Sequence, residues 1–303
     1  MNRRDFMYFI AKSLGPFGRS LRKFLLVRLP ELGLVRPANK MPDGITALMR
    51  VFNEPYTIDL SILSIKDYVN EFVIVDTSND GYTSDIIQTL KDSGLPIKHL
   101  RMKRIGLVKE SNYALKNVSY RQILKWEADF VCFNTFENLI NILKLLNPKK
   151  YYAISFPVPV FIDSKTVDAT FIQKEHWVTT YSPFLTYIQA KWPIIEYLWY
   201  PPYYERINLK KYYFAHLAWI KNPLAIISKA YKQKYFEEGW YRTKLDLATC
   251  ALKWAQEDFG IKDIQQLATK ILEKIKLERG KPYENTFPQL PTFVIDKLHK
   301  LGF

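Results

Sequence analysis

Along its first half the chain switches between two hydrophobic periods. Residues 45–51 form an apolar run that stops at Phe52-Asn53-Glu54-Pro55, the pattern of a buried strand followed by a turn. Ile58, Ile62, Ile65 and Val69 then recur at steps of four, three and four, which gives one apolar helical face. Residues 72–75 are a second apolar run, closed by Asp76-Thr77-Ser78-Asn79-Asp80-Gly81, residue types that favour turns. A helix is predicted over 83–90, a strand over 97–100, a helix over 108–118 and a fourth strand from Gln122 to Phe133. Strands separated by helices imply βαβ units and a largely parallel sheet flanked by helices. In such sheets ligands bind outside the carboxyl ends of the strands. Asn53 and Glu54, Asp76 and Asp80, and Glu127 and Asp129 all lie at predicted carboxyl ends.

The pattern is less regular afterwards. A helix is expected over 136–146, and residues 151–156 and 158–162 read as two strands joined through Pro157 and Pro159. Residues 163–215 are dense in aromatics and proline, including Trp177, Trp192, Trp199, Tyr203, Tyr204, Tyr213 and Phe214. They read either as an aromatic-filled core or as the wall of a sugar or lipid site. Residues 229–234 with Glu237 and Glu238 suggest a solvated helix face. Residues 245–254 and the set Ile264, Leu267, Ala268, Ile271, Leu272 and Ile275 give two amphipathic helices, and 293–301 a short terminal one. The organisation expected is a basic amphipathic segment over 1–40, an α/β domain over 41–225 and a helical extension over 226–303.

Charge sharpens the first of these. The net charge is +14, which asks for an anionic partner. Residues 1–40 carry nine basic and two acidic residues, half of that excess. Arg3, Arg4, Lys12, Arg19, Arg22 and Lys23 alternate with Phe6, Phe9, Phe17, Leu21 and Phe24, and Gly15-Pro16 divides the segment into two short helices. This reads either as a membrane-surface anchor or as a helix pair packed on the main domain with a solvated basic face. A nucleic-acid arm fits less well, because the apolar content is high.

No apolar stretch reaches the roughly 18–20 residues that span a bilayer. Basic residues interrupt the N-terminus too often for a signal peptide. Cys132 and Cys250 form neither a disulfide framework nor a zinc spacing, so a reducing, cytoplasmic compartment is expected, with peripheral contact on the inner face of a membrane through residues 1–36. There is no phosphate loop and no dinucleotide fingerprint.

Glu127 and Asp129 are the chemistry-bearing pair. On an extended segment carboxylates at i and i+2 point the same way, and two oxygen donors beyond a buried strand can share one divalent cation. The alternative is a strand end whose acids are simply solvated. His216, between an aromatic run and Leu217-Ala218-Trp219-Ile220, reads either as a core histidine or as a ligand.

Taken together these residues resemble family 2 glycosyltransferases, the inverting GT-A type. The matching stretches are Ile45 to Glu54 with Arg50-Val51-Phe52-Asn53-Glu54, then Ser61-Ile62-Leu63-Ser64-Ile65, then Val73 to Thr83 with its Asp76, Asp80 and Gly81. Ser111-Asn112-Tyr113-Ala114-Leu115 is similar to the family's Arg-Asn-x-Ala-Leu helix, with Ser for Arg. Glu127-Ala128-Asp129 stands in the place of its Asp-x-Asp motif, with Glu for the first Asp. The match spans roughly residues 45–135.

The resemblance implies a nucleoside-diphosphate sugar at the carboxyl edge of the sheet, beside Asn53, Glu54, Asp76, Asp80 and Glu127. It implies Mn²⁺ or Mg²⁺ at Asp129 and His216. Glu196 is the candidate catalytic base, with Glu205 and Glu175 as rivals, and the acceptor is a lipid-linked glycan, glycoprotein or polysaccharide. Arg50 and Lys221 are candidates to balance diphosphate charge. The competing readings are a GT-A fold without activity, a nucleotidyltransferase on a related fold, and a basic protein gripping single-stranded nucleic acid by stacking.

Overall fold

The computed structural model describes residues 25–189, 196–235, 247–283 and 286–303. The helices expected over 1–24, and Trp192, Glu237, Glu238 and Leu245, lie outside the described residues.

The first half is the expected alternation: β1 (Ile45–Val51), α1 (Ile58–Ile65), β2 (Glu71–Asp76), α2 (Tyr82–Asp92), β3 (Ile97–Arg101), α3 (Leu107–Leu115) and β4 (Gln122–Lys125). These four strands are parallel, in the order β3-β2-β1-β4. They read as unbroken apolar runs because both faces are covered. Ala47, Met49, Phe72 and Ile74 pack with Ile58, Ile62 and Ile65 of α1 and Ile87 of α2. Leu48, Val73, Val75 and Ile123 pack with Ala114 and Leu115 of α3 on the opposite face. Each fully buried Ile of α1 contributes roughly 1.5–3 kcal/mol. A charge at Ile62 would therefore unseat the helix that carries Ser61 under the site.

The strand predicted from Gln122 to Phe133 is two strands. After β4 the chain turns at Glu127 and resumes as β5 (Phe130–Cys132), which leaves the β1 ladder. Next come α4 (Phe136–Leu145), β6 (Tyr152–Phe161), β7 (Thr166–Thr180), β8 (Thr186–Gln189), β9 (Glu196–Trp199), β10 (Glu205–Asn208) and β11 (Phe214–His216). The main sheet runs β3-β2-β1-β4-β7-β6-β11-β5, with β10 also paired to β6. It is thus a mixed sheet, since β7 is antiparallel to both β4 and β6. A separate hairpin, β8 with β9, stands beside α3.

Residues 151–162 were expected as two strands, but β6 runs through both prolines. Ser155 accepts from Leu209 on the β10 side, and strand alternation places Pro157 and Pro159 on that side too, beyond the last β10 pair at Asn208–Ser155. Their missing N–H groups face a gap in the ladder and leave no broken hydrogen bond. The aromatics of 163–215 mainly fill core: Trp177, Tyr203, Tyr204, Tyr213 and Phe214 are buried. Phe214 sits among Trp126, Phe130, Phe156 and Trp177 with ring centroids 4.7–5.4 Å away.

The C-terminal helices are α5 (Pro223–Lys234), α6 (Leu247–Phe259), α7 (Ile264–Arg279) and α8 (Thr292–Lys300). A short strand between the last two, β12 (Gly280–Pro282), adds to β7, so this region completes the sheet as well as covering it. Val294 and Leu298 of α8 pack on Leu60, Val131 and Phe133. Among the described residues no helix is long and apolar enough to cross a membrane.

Candidate active site

The turn after β4 is built from three directions. Phe130 N–H donates to the Glu127 carbonyl at 3.0 Å, which closes the turn. Ser61 Oγ on α1 donates to the same carbonyl at 2.8 Å and accepts from Trp126 Nε1 at 2.8 Å. Leu217 N–H, just after β11, donates to the Asp129 carbonyl at 2.7 Å. The carboxylates of Glu127 and Asp129 therefore converge across a tight turn, and not along an extended strand as expected from their spacing.

Antiparallel pairing of β11 with β5 sets His216 opposite Phe130, next to Asp129. Its Nε2 stands 3.2 Å from Asp129 Oδ2, and its Nδ1 is 3.1 Å from Gln173 Oε1 on β7. With both ring nitrogens protonated, Nδ1–H donates to Gln173 and Nε2–H to Asp129; loss of the Nε2 proton leaves that lone pair facing the carboxylates, the tautomer a metal-binding imidazole needs. One ligand atom each from Glu127, Asp129 and His216 falls within 4.8 Å of the others. Two carboxylates and an imidazole suit Mn²⁺ better than Mg²⁺, whose ligands are oxygens, so the residues fit the first of the two expected ions.

Two lysines stand around this cluster. Lys221 Nζ donates to Glu54 Oε1 and lies 3.3 Å from Asp129 Oδ2. Burial alone would raise the Asp129 carboxyl, but His216 and Lys221 outweigh it and hold Asp129 far below the usual carboxylate range. Glu54 goes the other way: burial lifts its carboxyl despite the ammonium of Lys221. Lys221 itself is raised, since Asp129 and Glu54 overcome the effect of burial. Lys229 of α5, expected on a solvated face, instead points inward. Its Nζ donates to the Ala218 carbonyl at 2.7 Å, and burial followed by repulsion from Lys221 brings it down to about 7.

Beside the turn is a cavity of about 270 Å³ whose lining includes Arg50, Glu54, Arg104, Lys125, Glu127, Asp129, Tyr187 and Glu196. Glu196, at the start of β9, accepts from Arg50 at 2.6 Å and from Ser111 Oγ at 3.0 Å. Ser111 is thus the α3 residue that meets Glu196, at the position where the resembling family has Arg. The rival carboxylates do not line the cavity. Glu175 pairs with Lys125 at 2.5 Å from β7, and Glu205 pairs with Lys150 at 3.3 Å on β10.

Asn53, Asp76 and Asp80 occupy the adjoining loops, where their side chains hold the loops together. Asn53 takes a left-handed conformation with φ 55°, and its Oδ1 accepts from Asn79 N–H at 2.9 Å. Asp80 accepts from Thr83 N–H and hydroxyl, which starts α2. Asp76 is fully buried and accepts from Ser78 N–H, Ser84 Oγ and His99 Nε2. The structure therefore brings Glu54, Glu127, Asp129 and Glu196 to one cavity with His216 against Asp129, and leaves Asn53, Asp76 and Asp80 outside its lining.

Several neighbours escaped the sequence reading. Glu110 caps the start of α3 by accepting from Ile105 and Gly106 N–H, and it also lines the cavity. Lys125 is enclosed between Glu127 and Glu175. Tyr187 is buried beneath it, and that burial pushes its phenol up to about 12. Of these, Lys125 stands two residues before Glu127 in the sequence.

No protein-family model matches the chain, and no curated protein does. Solved structures resemble it distantly. One is S. aureus TarS 1–349, at 10% identity over 76% of this chain and 82% of that one, with a TM-score of 0.43. The same protein in complex with UDP-GlcNAc aligns at 12% identity over 82% and 99%, with a TM-score of 0.41. The mannosyltransferase PcManGT from Pyrobaculum calidifontis, in complex with GDP-Man and Mn²⁺, aligns at 15% identity over 92% and 93%, with a TM-score of 0.40. Identities and scores at this level transfer neither ligand nor activity to this chain.

Proposed function

We propose that the chain is a metal-dependent, inverting glycosyltransferase of the GT-A type. It moves a sugar from a nucleoside-diphosphate donor to a lipid-linked glycan, glycoprotein or polysaccharide. The observation that carries this reading is the meeting of Glu127, Asp129 and His216 at the rim of a cavity that Glu196 also lines. The sequence resemblance over residues 45–135 supports it independently.

Asp129 and His216 would hold Mn²⁺ or Mg²⁺, and Glu127 would bind the donor. A divalent ion bound there supplies Lewis-acid stabilisation for the charge on a departing diphosphate. The chain supplies the rest. Glu196 takes the proton of the acceptor hydroxyl as its oxygen bonds to the anomeric carbon and the bond to the diphosphate breaks. Arg50 and Ser111 fix the direction of that carboxylate. The loops held by Asn53, Asp76 and Asp80 give the donor a rigid wall beside Glu54. Residues 1–36 hold the enzyme at an anionic membrane surface on the cytoplasmic side, within an organisation of basic segment, catalytic domain over 41–225 and C-terminal extension.

The deciding experiment is a binding and turnover screen of nucleoside-diphosphate sugars with and without Mn²⁺, on wild type and Asp129→Asn. Donor binding that needs neither Mn²⁺ nor Asp129 rejects the site. One observation favours a second reading, a GT-A-like protein that binds a donor without transferring it: Glu196 is already paired with Arg50. Metal-dependent binding with no hydrolysis or transfer selects that alternative.

A further inference from the structure

We propose that Lys221 is the resident counter-ion of the carboxylate cluster, and that a divalent cation must displace its ammonium from Asp129 in order to bind. This rests on the reading of Glu127, Asp129 and His216 as a cation site. The ammonium lies 3.3 Å from Asp129 Oδ2, the same oxygen that faces His216 Nε2 at 3.2 Å. It also donates to Glu54, so one ammonium bridges two carboxylates of the cavity. A cation on Oδ2 and an ammonium touching the same oxygen repel strongly in a site this buried.

The backbone of Lys221 is not what yields. Leu217 N–H is bonded to the Asp129 carbonyl, Ile220 N–H to Leu217, and Lys221 N–H to Trp219. The next residue, Asn222, caps α5 by accepting from Ala225 N–H, with Pro223 at the first helical position. The segment is pinned at both ends, while four methylenes leave the ammonium free to swing about a fixed root. The neighbouring Lys229 cannot take over its role, since its Nζ is bonded to Ala218 and lies 4.7 Å from the Trp219 ring centroid. Lys221 is thus a built-in competitor that keeps Glu54 and Asp129 together until an ion arrives, and then becomes a free cation at the cavity edge.

The test is Mn²⁺ affinity, read from the electron paramagnetic resonance of free Mn²⁺, on the full chain as wild type, Lys221→Met and Lys221→Arg. Lys221→Met is expected to bind Mn²⁺ at least about tenfold more tightly than wild type. Lys221→Arg keeps the charge and is expected to bind like wild type. Equal or weaker binding by Lys221→Met overturns the competition and leaves the cation site standing. No Mn²⁺ binding by either wild type or Lys221→Met overturns the cation site itself. A second measurement needs no variant: reductive methylation of wild type, read by mass spectrometry. Mn²⁺ is expected to increase labelling of Lys221, and unchanged or reduced labelling overturns the proposal.

Discussion

Arg50, near the end of β1, holds Glu196 at 2.6 Å although 146 residues separate them in the chain. The pair joins the parallel core of the sheet to the β8–β9 hairpin. It fixes a carboxylate over the cavity from outside the sheet that carries the acidic turn. The proposed role of this carboxylate as a base is best tested by removing its charge and keeping its shape. Glu196→Gln is expected to lower kcat by about 10²–10⁴-fold while donor Kd stays unchanged. Turnover kinetics beside donor calorimetry checks this, and an equal loss in both would make Glu196 a donor contact.

Gln173 touches His216 but none of the carboxylates of the cluster. Removing it frees the imidazole to turn and to change tautomer. Gln173→Ala is expected to weaken Mn²⁺ affinity about 10–100-fold without altering the fold, as loss of an outer-shell partner does. Mn²⁺ titration with circular dichroism as the fold control measures it.

Asp76 contributes to acid stability. Burial would raise its carboxyl, but hydrogen bonds from His99, Ser84 and Ser78 outweigh it and bring it down to about 2. Its folded value lies below the unfolded one. The stabilisation is therefore complete above pH ~4 and is lost as pH falls through about 2, and it amounts to roughly 2 kcal/mol. Asp76→Asn is expected to flatten the fall in stability between those limits, which urea unfolding at stepped pH resolves.

Lys229 works in the opposite sense. Its folded value, about 7, lies below the unfolded value near 10, so the unfolded chain binds more protons between them. The burden it places on the fold is greatest below pH 7 and is relieved as pH rises toward 10. Lys229→Met is expected to stabilise the protein at pH 6, with the gain over wild type shrinking across that range. Parallel thermal melts of the two proteins follow the difference.

The legible parts were those where one segment contains its own reason. β1, β2 and α1 could be read directly, because strands buried on both faces are apolar runs and α1 shows its inward face every three or four residues. Glu127 and Asp129 were visible because they interrupt such a run. Ser61 shows the limit: its pattern marked it, yet only the fold reveals that its hydroxyl ties Trp126 to the Glu127 carbonyl. β7 was missed because its outer part, from Ala169 to Gln173, is mostly exposed and carries no inward alternation. The contact of Glu54 with Lys221 spans 167 residues, and no local pattern reports a partner that far away.

The register of β11 against β5 also sets the order in which the site comes into being. Both carboxylates are made long before the segment that faces them, and a growing chain that ends before residue 214 has the acidic turn without its imidazole. Domains generally fold as units, so until β11 has been made the acidic turn has Lys125 beside Glu127 but neither His216 nor Lys221 against Asp129. The strand that brings His216 must then find Phe130 in one register, because a slip by one residue turns the imidazole to the other face of the sheet. The cluster of Glu127, Asp129 and His216 is thus a late product of synthesis, completed by a three-residue strand.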